Sequence, residues 1–530
     1  MAGGSRPRPR TLEGPLGLSN ALPSRIDRVG VLVALAATGV FLLHGFRGNL
    51  GQDAAVYAYA GQRVADGVPP YVGILNRSGP LAHLVPGVGA LVGRVVGTDD
   101  LLAMRVLLAL VSVASVWLAY LVARDWCGSR LAGLVAGTTM LTFGGFVHYA
   151  TYGPREKTTM IFCILLTLWA IGRRRWVTAG VGTALATLTW QGAFFPLVVA
   201  ALVALLLLPG RRSTLSALGR YLGAGVVVTA VTLLGFWVVG ALRAFLEGFL
   251  LVNLGYTEQR GLLEAWARVP EILRPVYGWS TVLLIGGSLA CVVLAALAAR
   301  RLDRASPTAV GVVATGAGVL AELGFSLTAF QGWPDALVFV PFAALGTAGV
   351  LHLLTRALDA RARRAVLAVA SVALLVAAAQ GSWSTRNTLL EEQREQAHAL
   401  LAVTGPEATV LSIGSPQPLV LADLDNPIRH QMFLNGMTEF VDDTRPGGLE
   451  QLVEDLERIR PTIIAVDRPV THDWLQPLLA EDYVRLGGSR ASVRWFVIDT
   501  LSREDVRRAR ELVHAGPLTT EVPLVGRSGP

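Results

Sequence analysis

Lysine is all but missing: among 46 basic residues, only Lys157 is a lysine and the rest are arginines. Cysteine is nearly as scarce. Cys127, Cys163 and Cys291 lie in or beside apolar runs at no metal-like spacing, which excludes a disulfide framework and a thiolate metal site. Charge is thin as well, at 16% of residues against 52% hydrophobic, with a mean hydropathy of +0.51. That balance excludes a soluble globular chain of 530 residues and describes a polytopic membrane protein.

Eleven apolar stretches reach the length that a helix needs to cross ~30 Å of hydrocarbon. They lie near 28–46, 101–123, 130–148, 157–172, 176–190, 193–209, 220–242, 276–299, 308–330, 336–354 and 365–383. Arginines crowd alternate loops, at Arg25 and Arg28, Arg124 and Arg130, Arg173 to Arg175, Arg211 and Arg212, Arg300 to Arg304, and Arg356 to Arg364. Positive loops stay inside, so the N-terminus is expected in the cytoplasm of a multi-pass plasma-membrane protein and everything after 384 outside. The net charge of +8 is this bias together with arginines snorkelling at helix ends, and no nucleic-acid partner is implied. Four parts follow: a Pro/Gly/Arg-rich tail over 1–24, a transmembrane domain over 25–383, a small outer α/β domain over 384–505, and a tail over 506–530. In the outer domain, 409–413, 462–466 and 493–498 read as strands and 449–459 and 474–479 as helices.

The polar residues worth singling out lie in the outer loops. Asp53, Tyr57, Ala60 and Val64 share one face of a surface helix over 53–66 that Pro69-Pro70 ends, and Arg77 and His83 lie in the following turn and interfacial helix. Asp53 is read either as a base or as the cap of that helix, two roles that can coexist. Arg155, Glu156 and Lys157 open the fourth span. The lone lysine there is a compact ammonium where an arginine would otherwise be expected. An outer loop over 243–275, with Glu247, Glu258, Arg260, Glu264 and Trp266, reads as another membrane-lying helix. Glu322 is an acid well inside a span, and Asp335 lies at an outer helix end, which makes both secondary candidates. Asp467, His472 and Asp473 are close in sequence but read as loop polar groups.

In order and sidedness these features resemble the GT-C superfamily of polyprenyl-phosphate-sugar-dependent glycosyltransferases. The features are an Asp after the first span, Gly67-Val68-Pro69-Pro70-Tyr71, Gly79-Pro80-Leu81, the acid Glu156 and a Gly-rich span ending at Leu188-Thr189. The similarity points to the branch of the protein O-mannosyltransferases and the lipid A aminoarabinose transferase (family 39-like), covering 28–210 well and 220–383 loosely. It implies that Asp53 is the catalytic Asp and Glu156 the second acid. Arg77, Arg155 and Lys157 would hold donor phosphate, with Tyr57, Tyr71 and His83 beside the substrate. Relatives carry a lysine at the place of Trp190 and a His-Tyr pair at Trp333-Pro334, which shifts phosphate binding onto Arg77, Arg155 or Lys157. The expected reaction is inverting sugar transfer from a lipid phosphate in the membrane to an outer glycolipid, glycan or protein. No cofactor is required, and without a carboxylate trio metal dependence stays open. A lipid-linked glycan flippase and a noncatalytic anchor for the outer domain are the alternative readings.

Overall fold

The computed structural model describes residues 27–256, 268–405, 407–467, 472–487 and 493–515. The expected tail over 1–24 and, from the 243–275 loop, Glu258, Arg260, Glu264 and Trp266 lie outside them. Helices dominate the first 385 residues because apolar runs carry few breakers, and local chemistry sets where each begins and ends. Helix α1 (Arg28–His44) is capped by Asp27, α4 (Asp100–Cys127) by Asp99 and α5 (Arg130–Leu141) by Ser129, each side chain accepting from a backbone N–H of the first turn. Gly128, at φ +59°, stops α4.

Among the described residues, six helical segments are long and apolar enough to cross a membrane, and α5 with α6 (Gly144–Tyr152), bent by 69°, makes a seventh if the pair is one span. Of the eleven expected spans, the others fall on shorter helices: α1, α7 (Glu156–Ile171), α8 (Trp176–Thr187) and α9 (Phe194–Leu206). Helix α10 (Arg211–Val238) leaves Val226, Val231 and Trp237 about two-thirds exposed, a surface stable only in an apolar medium.

Charges sort to the two ends of the helices. At one end Asp27 binds Arg124 at 2.8 Å and Arg130 at 3.4 Å, Asp125 binds Arg173 at 2.7 Å, and Arg174 donates to the carbonyls of Arg304 and Ala305. At the other end lie the loop after α1, the loop before α7 and the Trp190 and Asp335 turns.

Helix α2 (Gln52–Ala65) and helix α3 (Leu81–Val96) pack on each other and on this second end. Gly67, at φ +84°, ends the α2 stretch before the Pro69-Pro70 pair is reached, because only glycine takes that conformation without strain. Above them strands β1 (Val410–Ile413), β2 (Ile463–Asp467), β3 (Tyr483–Gly487) and β4 (Val493–Ile498) form one sheet in the order β1-β2-β4-β3, parallel between β1 and β2 and antiparallel elsewhere. Alternate side chains serve alternate faces. Val410, Ile463 and Ala465 join a core with Ala55, Tyr59 and Ala90 of the two juxtamembrane helices, whereas Leu411, Ile464 and Val466 join one with Tyr71, Phe245 and Phe249. The sheet is thereby fastened to the elements that hold the candidate site. The helix Arg503–Ala515 runs across the expected boundary at 505, since Ala509 and Val513 are buried against the sheet's lower core, so the stretch to 515 is packed structure rather than tail.

Candidate active site

The loop between α6 and α7 ends in Arg155, Glu156 and Lys157, and successive side chains there reach different neighbours. Arg155 NH1 binds Asp53 Oδ2 at 2.7 Å, and its Nε lies 3.0 Å from Glu156 Oε2. Lys157 Nζ lies 3.8 Å from Glu156 Oε1 and 3.3 Å from Asp335 Oδ1. The result is one chain of alternating charge, Asp53, Arg155, Glu156, Lys157 and Asp335, drawn from three separate loops. Glu156 sits in the first turn of α7, where the helix dipole favours an acid.

Asp53 caps nothing. Gly51 is the N-cap of α2 and makes no side-chain cap bond, which removes the structural alternative considered for this residue. Its carboxylate, about half exposed, is instead presented at the end of the charge chain. The neighbouring groups are nearly closed to water: Glu156 is 4% and Lys157 1% exposed. Glu156 Oε2 and Arg155 Nε face each other as an ion pair at 3.0 Å, yet neither buried atom has a hydrogen-bond partner among the described residues.

Aromatic rings wall the cations. Lys157 Nζ lies 3.3 Å above the Trp190 ring, and Arg155 lies over Tyr57 and Tyr149 at 5.2 and 5.4 Å. The lone lysine therefore lies directly against Trp190. Tyr149 stacks on Trp333 at 5.0 Å between centroids.

Arg77 joins the cluster from the other side: its guanidinium donates to Gln331 Oε1, and the Gln331 N–H donates to Asp335 Oδ2 at 2.8 Å. The Arg77 carbonyl accepts from Gln191 and Asn253, at 3.0 and 2.8 Å. This turn docks on the end of α8 through Gly79 and Leu81 N–H bonds to Thr189 and Leu188 carbonyls, and a Cβ at Gly79 would stand 2.0 Å from the Leu188 oxygen. Only glycine permits that approach.

Three expected site residues do structural work. Tyr57 donates to or accepts from Ser78 Oγ at 2.7 Å, and burial first, then Glu156, push its phenol above the ordinary range, so it stays protonated. Tyr71 is fully buried, its hydroxyl on the Ser78 carbonyl at 2.7 Å. His83, 1% exposed, pairs with Asn76 Oδ1 at 3.1 Å, and burial pushes its imidazole down to about 3, so it holds the Arg77 turn as a neutral ring. Glu322 makes no ion pair among the described residues and accepts from Ser326 at 3.3 Å inside its helix, whereas Asp335 is a full member of the chain. His472 and Asp467 form a buried pair at 2.8 Å, and no group of three possible metal ligands occurs among the described residues.

Sequence reasoning missed Arg105. Entirely buried near the start of α4, it donates to the carbonyls of Phe46, Gly48 and Gly153 at 2.7, 2.9 and 3.0 Å and, more weakly, to those of Asn49 and Tyr152. One guanidinium thus ties the strand leading to Asp53 to the strand leading to Arg155. Gly48 lies so close to the Tyr152 ring that a Cβ would meet it at 2.2 Å. A cation in an apolar run is flagged by the rule that flagged Glu322, and applying it to both signs of charge would have found Arg105.

The family model described as DolP-mannose mannosyltransferase matches residues 69–234, a stretch that includes Arg77, Arg155, Glu156, Lys157 and Trp190. The chain also superposes on ArnT from Cupriavidus metallidurans in the apo state, with a TM-score of 0.58 and 14% identity over 88% of this chain and 97% of that one. The chain has the fold of ArnT. The same ArnT bound to undecaprenyl phosphate matches 90% of this chain at the same score. An oligosaccharyltransferase from Archaeoglobus fulgidus superposes with a TM-score of 0.50 and 14% identity, over 83% of this chain and 68% of that one. Comparison with curated protein sequences gives no match.

Proposed function

We infer that this chain is a glycosyltransferase that takes its sugar from a polyprenyl-phosphate donor in the membrane and passes it, with inversion, to an extracytoplasmic hydroxyl on a glycolipid, glycan or protein. The observation that carries the reading is the charge chain: a presented carboxylate at Asp53, then a buried acid and two buried cations within ion-pair reach of one another. ArnT and the archaeal oligosaccharyltransferase are described with undecaprenyl phosphate and dolichol phosphate bound, which supports the donor class.

In the proposed reaction the acceptor oxygen attacks the anomeric carbon while the bond from that carbon to the phosphate oxygen breaks. Asp53 takes the hydroxyl proton, and the bond's electron pair leaves on the polyprenyl phosphate, a phosphodiester turned monoester whose charge Arg155, Lys157 and Arg77 offset. No acid is needed for a leaving group this stable. Glu156 Oε2, buried and without a hydrogen-bond partner, orients the acceptor. A single base facing the leaving group delivers the nucleophile from the opposite face, hence inversion. Transfer of labelled sugar by the purified chain from a polyprenyl-phosphate donor tests this, and absence of both transfer and donor hydrolysis across a panel of such donors would reject it.

The lysine makes a sharper test. Lys157→Ala is expected to raise the KM for the lipid donor, and Lys157→Arg to restore it only in part, because a planar fork does not fit the enclosed slot between Trp190 and Asp335. An unchanged KM in both variants removes Lys157 from phosphate binding.

Sidedness is proposed to follow the arginines, with eleven passes, the Arg124, Arg173 and Arg304 end in the cytoplasm and the charge chain and sheet outside. Support comes from the sorting of the Asp27 and Asp125 ion pairs to the end opposite Asp53. A reporter fused after residue 400 should be active only outside the cell and one fused at 303 only inside. Activity of both on one side would refute the pass count.

A further inference from the structure

A cleft of about 340 Å³ opens in the β-sheet domain, lined by Arg429, His430, Arg445, Asp455, Arg458 and Ile459. It is joined to the catalytic end of the molecule in two places. The Leu75 N–H, two residues before Arg77, donates to the Arg429 carbonyl at 2.9 Å, and Arg429 binds Glu247 at 3.1 Å.

Among the described residues its cations outnumber the carboxylates paired with them. Asp455 is shared by Arg445 and by Arg458 at 3.1 Å, and Arg429 must share Glu247, outside the cleft, with Arg243 at 2.8 Å. His430 stands between Arg429 Nε, at 3.3 Å from its Nε2, and Arg445 NH1, at 3.4 Å from its Nδ1. Burial, and then those two guanidiniums, push its imidazole down to about 3. A neutral imidazole has one lone pair, so it accepts from one of the two arginines and turns an N–H toward the other. That guanidinium is left short of an acceptor, and the buried Arg445 Nε has no hydrogen-bond partner among the described residues. The volume admits about one hexose ring with a charged substituent, and the aliphatic Ile459 wall suits a ring face.

We propose that this cleft binds an anionic sugar unit, its carboxylate or phosphate held by Arg445 and Arg458, and so selects an acidic glycan as the acceptor. The acceptor assignment rests on the transferase reading above; the binding itself does not. Phosphate and carboxylate share the recognition chemistry here, since each presents paired oxygens to a guanidinium fork.

The test is a binding titration of the purified full chain by saturation-transfer NMR with three probes built on one hexose ring: glucose, glucose 6-phosphate and glucuronate. One or both anions are expected to bind and glucose not to, with the stronger anion naming the charged group. Arg445→Gln should weaken that binding about tenfold, as loss of a charge-assisted fork does. Arg458→Gln, at a side chain 72% exposed whose removal does not threaten folding, should weaken it in the same direction. Equal binding of glucose and both anions, no binding of either anion, or unchanged anion affinity in both variants overturns the proposal. Because the readout is binding, failure of the chain to transfer sugar would reject the acceptor role and leave this result standing.

Discussion

Asp53→Asn should fold like the parent chain and turn over about 10² to 10⁴ times more slowly, the range that a positioned general base contributes. The geometry makes the substitution unusually clean. Asp53 accepts no capping bond from α2, so no helix end is lost, and a carboxamide oxygen can still accept from Arg155. The ion pair it does lose is half exposed on the Asp53 side and contributes only about 0.2 to 1 kcal/mol. Thermal unfolding and donor KM should therefore stay near those of the parent while kcat falls. If the purified variant turns over at the parent rate, the base lies elsewhere. Glu156, its buried Oε2 without a hydrogen-bond partner, is the next to replace.

Asp53 and Glu156 were legible in the sequence because their signal is local: an acid just after an apolar run, an acid opening another, in a fixed order. Legible on the same grounds were most of the apolar helices and strands β1, β2 and β4, since run length and alternation are properties of a few consecutive residues. What the chain conceals is which local features meet. Asp335 looked like a solvated helix end, and only the fold brings it, 178 positions along, to Lys157. Trp190 read as the loss of a cation, yet the cation is present, entering from α7 and lying flat over the indole. Tyr57, Tyr71 and His83 are expected beside the substrate, yet their polar atoms are spent on Ser78 and Asn76 in the support of the Arg77 turn. Strand β3 escaped notice because its face alternates only over five residues beside a helix. The basic cleft was invisible for the same reason as Asp335: Arg429, Arg445 and Arg458 are ordinary surface arginines until the fold gathers them round His430.

Arg105 is the residue whose replacement should be felt both in stability and in rate. Its guanidinium has five N–H donors and meets five carbonyls, two strands' worth, in a site without water access. The ammonium of Arg105→Lys offers three donors from a single point and leaves at least two carbonyls short. At about 1 to 3 kcal/mol for each buried orphan, the variant should lose about 2 kcal/mol or more and melt several degrees lower in detergent. The second effect follows from what those carbonyls belong to. Phe46, Gly48 and Asn49 lead into α2 and Asp53, and Tyr152 and Gly153 lead into Arg155 and Glu156, so Arg105 sets the spacing of base, cation and second acid without touching any of them. A misplacement of about 1 Å between reacting groups costs about 10²-fold in rate. In Arg105→Lys, kcat should fall by about that factor at a temperature where the variant is fully folded, with the donor KM moved much less. A purely structural role forecasts the lower melting temperature alone. Parent-level kcat in the folded variant would confine Arg105 to holding the loops together and deny it any part in aiming Asp53.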